Sequence, residues 1–218
     1  MFRDRADAGQ QLAQMVVRRL VHAAGRPEVA GGIVLGLARG GVPVAQRVAG
    51  ALGLPLDVLV VRKIGMPSQP ELALGAVGEN GAVVLNDEVV AAGGVGPDEL
   101  EALIRETSRE VEDIVAQLRP AAGPVEVKSR TVIVVDDGVA TGATARAAAE
   151  VLRQSGAGPL ILATPVAVPS VCTSLGSSFD EVICLSTPVR FGSVGHHYTS
   201  FDQVSIAQVR RLLEGSPA

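Results

Sequence analysis

Short apolar runs alternate with amphipathic segments along the whole chain. Unbroken runs of branched aliphatic residues are typical of strands buried on both faces, and the runs that predict strands are 33–35, 56–61, 82–85, 131–135, 160–163 and 181–185. Apolar residues at helical spacing predict helices, which cover 7–23, 43–52, 98–118 and 145–152. This alternation predicts an α/β fold with a doubly wound, mainly parallel sheet flanked by helices.

Two segments go beyond the simplest version of such a sheet. The segment 65–81 contains four glycines and two prolines, and it predicts a long loop, which in a compact domain is usually functional or disordered. The helix 98–118 is an extra element and the longest that the pattern predicts. Its apolar stripe either packs a dimer or braces the 65–81 loop, and its charged residues face solvent.

Composition narrows the class of protein. Hydrophobic residues make up 47% of the chain but aromatic residues only 2%, so the core is expected to be aliphatic, as in a parallel sheet covered by helices. The net charge of −4 argues against a nucleic-acid surface. No apolar run approaches about 18 residues, so no membrane span is expected, and the charged start lacks a signal-peptide core.

The chain has two cysteines, Cys172 and Cys184. Two are too few for a disulfide scaffold or a closed zinc site. We therefore expect both to be reduced core residues of a cytoplasmic protein.

The segment 131–144 carries the most specific chemistry. A buried strand stops at Asp136 and Asp137, a turn of small residues follows, and an alanine-rich segment then favours a helix. A tight turn that opens a helix presents unpaired N–H groups and partial positive charge to an anion. Carboxylates beside such a turn suit sugar hydroxyls or a bound Mg²⁺. The pattern predicts a sugar-phosphate site; the alternative is an ordinary strand-to-helix turn in which the aspartates only cap the helix.

The order of hydrophobic strand, Asp-Asp and Thr-Gly-x-Thr resembles the phosphoribosyl pyrophosphate (PRPP) motif of the type I phosphoribosyltransferases. The resemblance implies that Asp136 and Asp137 meet the ribose hydroxyls and that the following loop holds the 5-phosphate. The PRPP contacts that it implies in this segment are Asp136, Asp137, Gly138, Ala140, Thr141, Gly142, Ala143 and Thr144. It also implies Mg²⁺ as cofactor, held by Asp136 and Asp137 directly, through water or through PRPP.

A second glycine-rich turn follows the strand 33–35. It resembles the pyrophosphate-binding loop of the same family, and the residues that this implies as contacts are Ala38, Arg39, Gly40 and Gly41. Several members of the family carry a non-proline cis peptide in this loop, so we expect one near Ala38–Arg39.

Arg62 and Lys63 are predicted at the carboxyl end of the strand 56–61. They form either a solvated edge or, as the resemblance implies, cations that face the pyrophosphate. Lys63 joins Arg39, Asp136 and Asp137 as an expected catalytic residue. The resemblance further implies that the 65–81 loop is a mobile lid over PRPP.

The tail of the chain points to the acceptor only weakly. The segment 191–201 contains three of the five aromatic residues, and Phe191 and Tyr198 form either a hydrophobic flap or a stacking surface for a planar base. The order of residues is close to the Phe-x-x-Val-Gly pattern of the 6-oxopurine enzymes. However, those enzymes carry an aspartate as general acid/base where this chain has Ala140, whereas adenine-type enzymes can carry alanine. The acceptor therefore stays open.

Taken as a family member, the chain is expected to be one domain, 1–218. Its core would be about 28–186, and a small hood would form from the termini, about 1–27 and 187–218. The implied function is Mg²⁺-dependent transfer of a phosphoribosyl group from PRPP to a nitrogenous base or similar acceptor, with release of pyrophosphate. The alternatives are a non-catalytic PRPP or nucleotide sensor, a sugar-phosphate hydrolase, and a Rossmann-like domain with an empty site. The expected partners are PRPP and a small-molecule acceptor, with no nucleic acid and no membrane, in a homodimer.

Overall fold

The computed structural model describes residues 1–20, 29–119 and 126–215. In chain order the helices and strands are α1 (Arg5–Leu20), β1 (Ile33–Leu37), α2 (Gly41–Leu52), β2 (Leu56–Leu59), β3 (Val61–Met66), β4 (Gln69–Gly78), β5 (Val83–Leu85), α3 (Asp87–Gly93), α4 (Pro97–Leu118), β6 (Val132–Val135), α5 (Ala143–Gln154), β7 (Leu160–Val166), α6 (Pro169–Ser174), β8 (Glu181–Ser186) and α7 (Ile206–Glu214). Short 3-10 helices cover Glu79–Gly81, Leu175–Ser177 and Val194–His197.

The centre of the fold is a five-stranded parallel sheet in the order β2-β1-β6-β7-β8. Every neighbouring pair in it is parallel, so the carboxyl ends of β1 and β6 meet at the same edge. The strand order changes direction at β1 and β6, because β2 lies on one side and the later strands on the other. The predicted doubly wound, mainly parallel sheet is confirmed.

Helices cover both faces of this sheet. Side chains alternate along its strands, so both faces present apolar residues that must be buried. On one face Val34 and Ile133 pack with Leu12 of α1 and Val48 of α2. On the other face a second cluster, which includes Leu35, packs against α5. The residues of β1, β2, β6 and β7 are buried throughout, which agrees with their mainly apolar sequences; the buried polar side chains in these strands are Asp57 of β2 and Thr164 of β7.

The segment 65–81 is not the predicted loop. It contributes to an antiparallel three-stranded sheet in the order β3-β4-β5, in which Leu74 and Val77 are buried. Gly75 permits a close approach between strands, because a Cβ there would lie 2.2 Å from the Val84 carbonyl oxygen. Glycine serves strand pairing here instead of a turn, so the prediction of a loop was wrong.

The boundary of β2 also differs from the prediction. β2 ends at Leu59 and β3 begins at Val61, so the chain leaves the parallel sheet before it reaches Arg62. Arg62 and Lys63 therefore lie inside β3 and are exposed there, and their predicted place at the carboxyl end of β2 was wrong.

The long helix α4 braces the second sheet. It contacts β3 and β4, and its buried residues Val111 and Leu118 share one cluster with Ile64 and Leu74. Of the two expectations for this helix, the structure agrees with the one in which it braces the 65–81 segment. Packing of α4 in a dimer stays a prediction. Helix α1 ends at Leu20, and the rest of the predicted helix, 21–23, lies outside the described residues.

The two cysteines form a disulfide, so the expectation that they are reduced was wrong. Cys172 of α6 and Cys184 of β8 have Cα atoms 6.8 Å apart and a sequence separation of 12 residues. Helix α6 was not predicted, and its return onto β8 is what brings the two thiols together. The cytoplasmic location, which rested partly on reduced thiols, stays a prediction. Within the described ranges no helix is both long and apolar enough to span a bilayer.

Candidate functional site

The acidic pair follows β6 at the carboxyl edge of the parallel sheet. Asp136 and Asp137 come directly after Val135 and are half-buried. The backbone N–H of Asp137 donates to Oδ1 of Asp136 at 2.9 Å. This position matches the expected one, where ligands of open parallel sheets bind.

Arg5, at the start of α1, contacts this pair directly. Its Nε donates to Oδ2 of Asp137 at 2.7 Å, and both side chains are nearly buried, with 12% and 13% of their surface exposed. Its Nη1 donates to the Asp202 carbonyl oxygen at 2.6 Å, and its guanidinium carbon lies 3.9 Å from the centroid of the Phe201 ring. No pattern in the sequence indicates this contact, and Arg5 was not among the predicted site residues.

Burial shifts the pKa values of three groups in the site. Loss of hydration and the adjacent charge of Asp137 raise the pKa of Asp136. Burial also raises the pKa of Asp137, although its hydrogen bond and ion pair with Arg5 act in the opposite direction. For Tyr198, burial and the charge of Asp137 raise the pKa, so the hydroxyl keeps its proton and donates to the Asp137 carbonyl oxygen at 2.6 Å.

The glycine-rich turn after β1 packs against the acidic pair. A Cβ on Gly40 would lie 2.1 Å from Oδ2 of Asp137, and one on Gly41 would lie 2.3 Å from the Val135 carbonyl oxygen. Only glycine allows the two segments to approach this closely. The structure therefore brings the two predicted PRPP-binding loops together.

The same turn contains the expected non-proline cis peptide, Ala38–Arg39, and that prediction is confirmed. Ala38 is tied to the neighbouring strand, because its N–H donates to the Leu59 carbonyl oxygen at 3.1 Å. The Arg39 side chain is half-buried, and no hydrogen bond or ion pair joins it to another of the described residues. Its guanidinium donors remain available to a ligand.

The predicted phosphate loop opens α5. Gly142 has φ of 75°, a left-handed conformation that glycine adopts readily, and the helix begins at the next residue. Thr141 and Thr144 are exposed beside this helix N-terminus. Nη2 of Arg146 donates to the Thr141 carbonyl oxygen at 2.8 Å, which fixes the loop from outside. Ala140 is also exposed and Ala143 half-buried.

A hood forms over the acidic pair from the two ends of the chain. The Phe2 N–H donates to the His197 carbonyl oxygen and the Thr199 N–H donates to the Phe2 carbonyl oxygen, both at 2.8 Å. A Cβ on Gly138 would lie 2.3 Å from Cγ1 of Val194, so the 191–202 segment lies directly over the motif.

The two aromatic residues predicted to bind the acceptor lie inside this hood. Tyr198 is 5% exposed, and its ring centroid lies 5.4 Å from that of Phe2 and 4.9 Å from that of Phe201. Phe191 is buried in the same cluster. Of the two interpretations of these aromatic residues, the packing agrees with a hydrophobic flap, and a role in acceptor binding stays a prediction.

Comparison with known proteins identifies the family. The profile of the phosphoribosyl transferase domain matches residues 10–198. Two proteins of Mycobacterium tuberculosis, strains CDC 1551 / Oshkosh and ATCC 25618 / H37Rv, each named "putative phosphoribosyl transferase", are 44% identical over 214 residues. That match covers 98% of this chain and 46% of theirs, so the chain spans about half the length of these relatives.

A solved structure covers nearly all of the fold. The protein TT1426 from Thermus thermophilus is 39% identical, with a TM-score of 0.86, over 98% of this chain and 97% of that one. That protein therefore has the same fold as this chain and is substantially similar to it in sequence. The predicted resemblance is thus confirmed: the chain belongs to the phosphoribosyl transferase domain family.

Proposed function

We propose that this domain transfers the phosphoribosyl group of PRPP to a nitrogenous base or similar acceptor and releases pyrophosphate in a Mg²⁺-dependent reaction. The observation that carries the proposal is the packing of the 38–41 turn on the acidic pair, with Gly40 against Asp137. This packing brings the glycine-rich turn that opens α2, the two carboxylates and the N-terminus of α5 together at one edge of the sheet. PRPP has the matching groups in the matching order: pyrophosphate, ribose hydroxyls and 5-phosphate.

Each group of PRPP has a candidate partner. The exposed hydroxyls of Thr141 and Thr144, with the first N–H groups of α5, suit the 5-phosphate. The carboxylates of Asp136 and Asp137 suit the ribose hydroxyls. The pyrophosphate suits the guanidinium of Arg39, whose donors make no hydrogen bond to the described residues, together with the backbone N–H groups of 40–41. With its two ends held, the ribose C1 faces the acceptor in a fixed geometry.

The reaction breaks the bond between C1 and the pyrophosphate oxygen and forms a bond from C1 to the acceptor nitrogen, whose proton is lost to solvent. The electron pair of the broken bond leaves with pyrophosphate, while positive charge develops on the ribose ring. Arg39 would stabilise the leaving anion and the carboxylates the cationic sugar. Lys63, exposed on β3, is a second candidate cation for the leaving group.

The donor set fits Mg²⁺, because carboxylate oxygens are ligands that this ion prefers. Asp136 and Asp137 would hold it together with oxygens of PRPP. The bound ion would supply positive charge to the departing pyrophosphate. Within the described part of the chain no cluster of three or more histidine, cysteine or acidic side chains has a metal-binding arrangement, so this proposal assigns the remaining ligands to substrate and water.

A second candidate is a PRPP sensor without catalysis. Ala140 stands where the 6-oxopurine enzymes carry their general acid/base, and this residue cannot move a proton. A sensor would need the PRPP contacts but no acceptor site.

Calorimetric titration with PRPP, with and without Mg²⁺, tests the binding step, and pyrophosphate release with a panel of bases tests transfer. We expect Mg²⁺-dependent binding that Asp136→Asn combined with Asp137→Asn abolishes. Asp113→Asn, on the exposed face of α4, is the matched control and should bind PRPP as the wild type does. Folded wild-type protein that does not bind PRPP would refute the proposal. Binding without pyrophosphate release for any base would favour the sensor, and release without a base would favour a hydrolase.

A further inference from the structure

Arg5 lies 132 residues from Asp137 in sequence, yet it is the side chain that holds this carboxylate. Oδ2 of Asp137 accepts from Nε of Arg5 and also lies close to Gly40, where an added Cβ would come within 2.1 Å of it. A carboxylate that is hydrogen-bonded to a guanidinium and packed against a neighbouring backbone cannot rotate freely about its terminal torsion. The orientation of Asp137 in the ligand-free protein is therefore set by its two neighbours.

Arg5 is itself fixed by contacts that do not involve the acidic pair. The Asp202 carbonyl oxygen accepts from Nη1 at 2.6 Å, and the Phe201 ring lies 3.9 Å from the guanidinium carbon. These contacts use two features of arginine, a planar fork of donors and a cationic face that stacks on aromatic rings. A lysine could reproduce the charge but not the complete arrangement.

The hood thus holds Asp137 at two points. Arg5 binds its side chain, and the Tyr198 hydroxyl binds its carbonyl oxygen at 2.6 Å. Phe2 pairs with the 197–199 backbone, so both holding residues belong to one unit built from the two chain ends. The hood therefore contacts Asp137 through two different side chains, of which Arg5 alone binds the carboxylate.

We propose that Arg5 is a positioning residue for PRPP: it fixes the carboxylate of Asp137 in the orientation that meets the ribose hydroxyl. The inference rests on the proposed function and adds to it a residue outside both sequence motifs. A carboxylate that is already oriented does not have to be ordered when substrate binds, and this preorganisation strengthens binding. It makes the first residues of the chain part of the substrate site.

The test compares Mg²⁺-dependent PRPP affinity in three variants. Arg5→Gln removes the charged donor, and because hydrogen bonds to charged groups contribute strongly, we expect roughly 10- to 100-fold weaker binding. Arg5→Lys keeps the charge and should recover part of that loss. Arg3→Gln is the control, because Arg3 is on the same segment but its side chain is 83% exposed and pairs with Asp7; its affinity should equal that of the wild type.

The chain offers an internal probe that separates positioning from simple support of the hood. It contains one tyrosine and no tryptophan, so near-ultraviolet circular dichroism of the tyrosine band reports the packing of Tyr198. Weaker binding by Arg5→Gln with an unchanged Tyr198 signal is the expected result. Binding within about twofold of the wild type would overturn the inference, since a lost charged hydrogen bond is worth more. Joint loss of affinity and of the Tyr198 signal would also overturn it, because Arg5 would then only support the hood. Failure of the wild type itself to bind PRPP would instead refute the proposed function.

Discussion

Replacement of Gly40 by alanine tests the contact between the 38–41 turn and the acidic pair. The added Cβ would lie 2.1 Å from Oδ2 and 2.8 Å from Cγ of Asp137, whereas ordinary contact begins at 3.4 Å. Either the turn or the carboxylate must therefore move by about 1 Å or more. Movement of the carboxylate would stretch the 2.7 Å hydrogen bond from Arg5 beyond the useful range.

The magnitude follows from two losses. Overpacking a well-filled site costs about 1–3 kcal/mol, and weakening the nearly buried charged hydrogen bond between Arg5 and Asp137 adds up to about 1.5 kcal/mol. We expect the free energy of unfolding of Gly40→Ala to fall by about 1–4.5 kcal/mol, and PRPP affinity to fall at least tenfold because Asp137 is displaced.

Urea unfolding and calorimetry with Mg²⁺ and PRPP measure the two effects. Gly50→Ala is the matched control: Gly50 is exposed on α2, and nothing lies within 4 Å of the Cβ it would gain. This variant should unfold with about 0.5–1 kcal/mol more free energy, since alanine favours a helix over glycine, and it should bind PRPP normally. Gly40→Ala with wild-type affinity would refute the argument that this turn and the acidic pair form one binding site.

Three further predictions concern charge. Arg119→Gln removes the cation that pairs with the buried Asp57 and Glu79, and it should lower the free energy of unfolding in urea by about 3–5 kcal/mol. Arg105→Gln is the control: it breaks an exposed ion pair within α4 and should cost less than about 0.5 kcal/mol. Equal losses in the two variants would contradict the view that Arg119 compensates a buried charge. Burial raises the pKa of Glu79 above its ordinary 4.5, so the folded state binds this proton more tightly than the unfolded state. The stabilisation that comes from the protonated Glu79 should therefore decrease as pH rises from about 4.5. Urea midpoints measured against pH detect this decrease, and Glu79→Gln should not show it. Burial likewise raises the pKa of Asp136 to about 8. Because Mg²⁺ and PRPP need the carboxylate, affinity should increase as pH rises toward about 8, with release of a proton. Calorimetry in buffers of different ionisation enthalpy detects that release, which should be smaller in Asp136→Asn because the proton of this carboxyl is gone.

The local motifs were predictable because each lies within one short stretch of chain. The run 132–135 is apolar at every position and is buried at every position, so strand and acidic pair follow from adjacent residues. The turn after β1 also lies within one stretch, although the cis peptide at Ala38–Arg39 was expected from the resemblance to the family and not from the local residues. In both places the residues that form the backbone geometry are also the ones predicted to bind the ligand.

The segment 65–81 shows where local reasoning fails. Its glycines suggested turns, yet Gly75 lies under the Val84 carbonyl oxygen and Gly78 against the Val151 side chain. Glycine permits a turn and a close strand contact equally well. Only the partner decides between them, and here the partners are a later strand and α5.

The same limit applies with more force to charged residues, because an ion pair needs a partner that the sequence does not specify. Arg3 and Arg5 are two residues apart in one charged segment, and no pattern distinguishes them. Folding leaves the Arg3 side chain 83% exposed but buries Arg5 against Asp137, because the hood turns one of them inward. Glu79 is a parallel case: it had no predicted role, and it meets Arg119, 40 residues away, in the interior. A motif can therefore predict which backbone and carboxylate groups form the candidate site, whereas the cations that pair with its carboxylates depend on how residues 2–5 and 191–202 pack over the sheet edge.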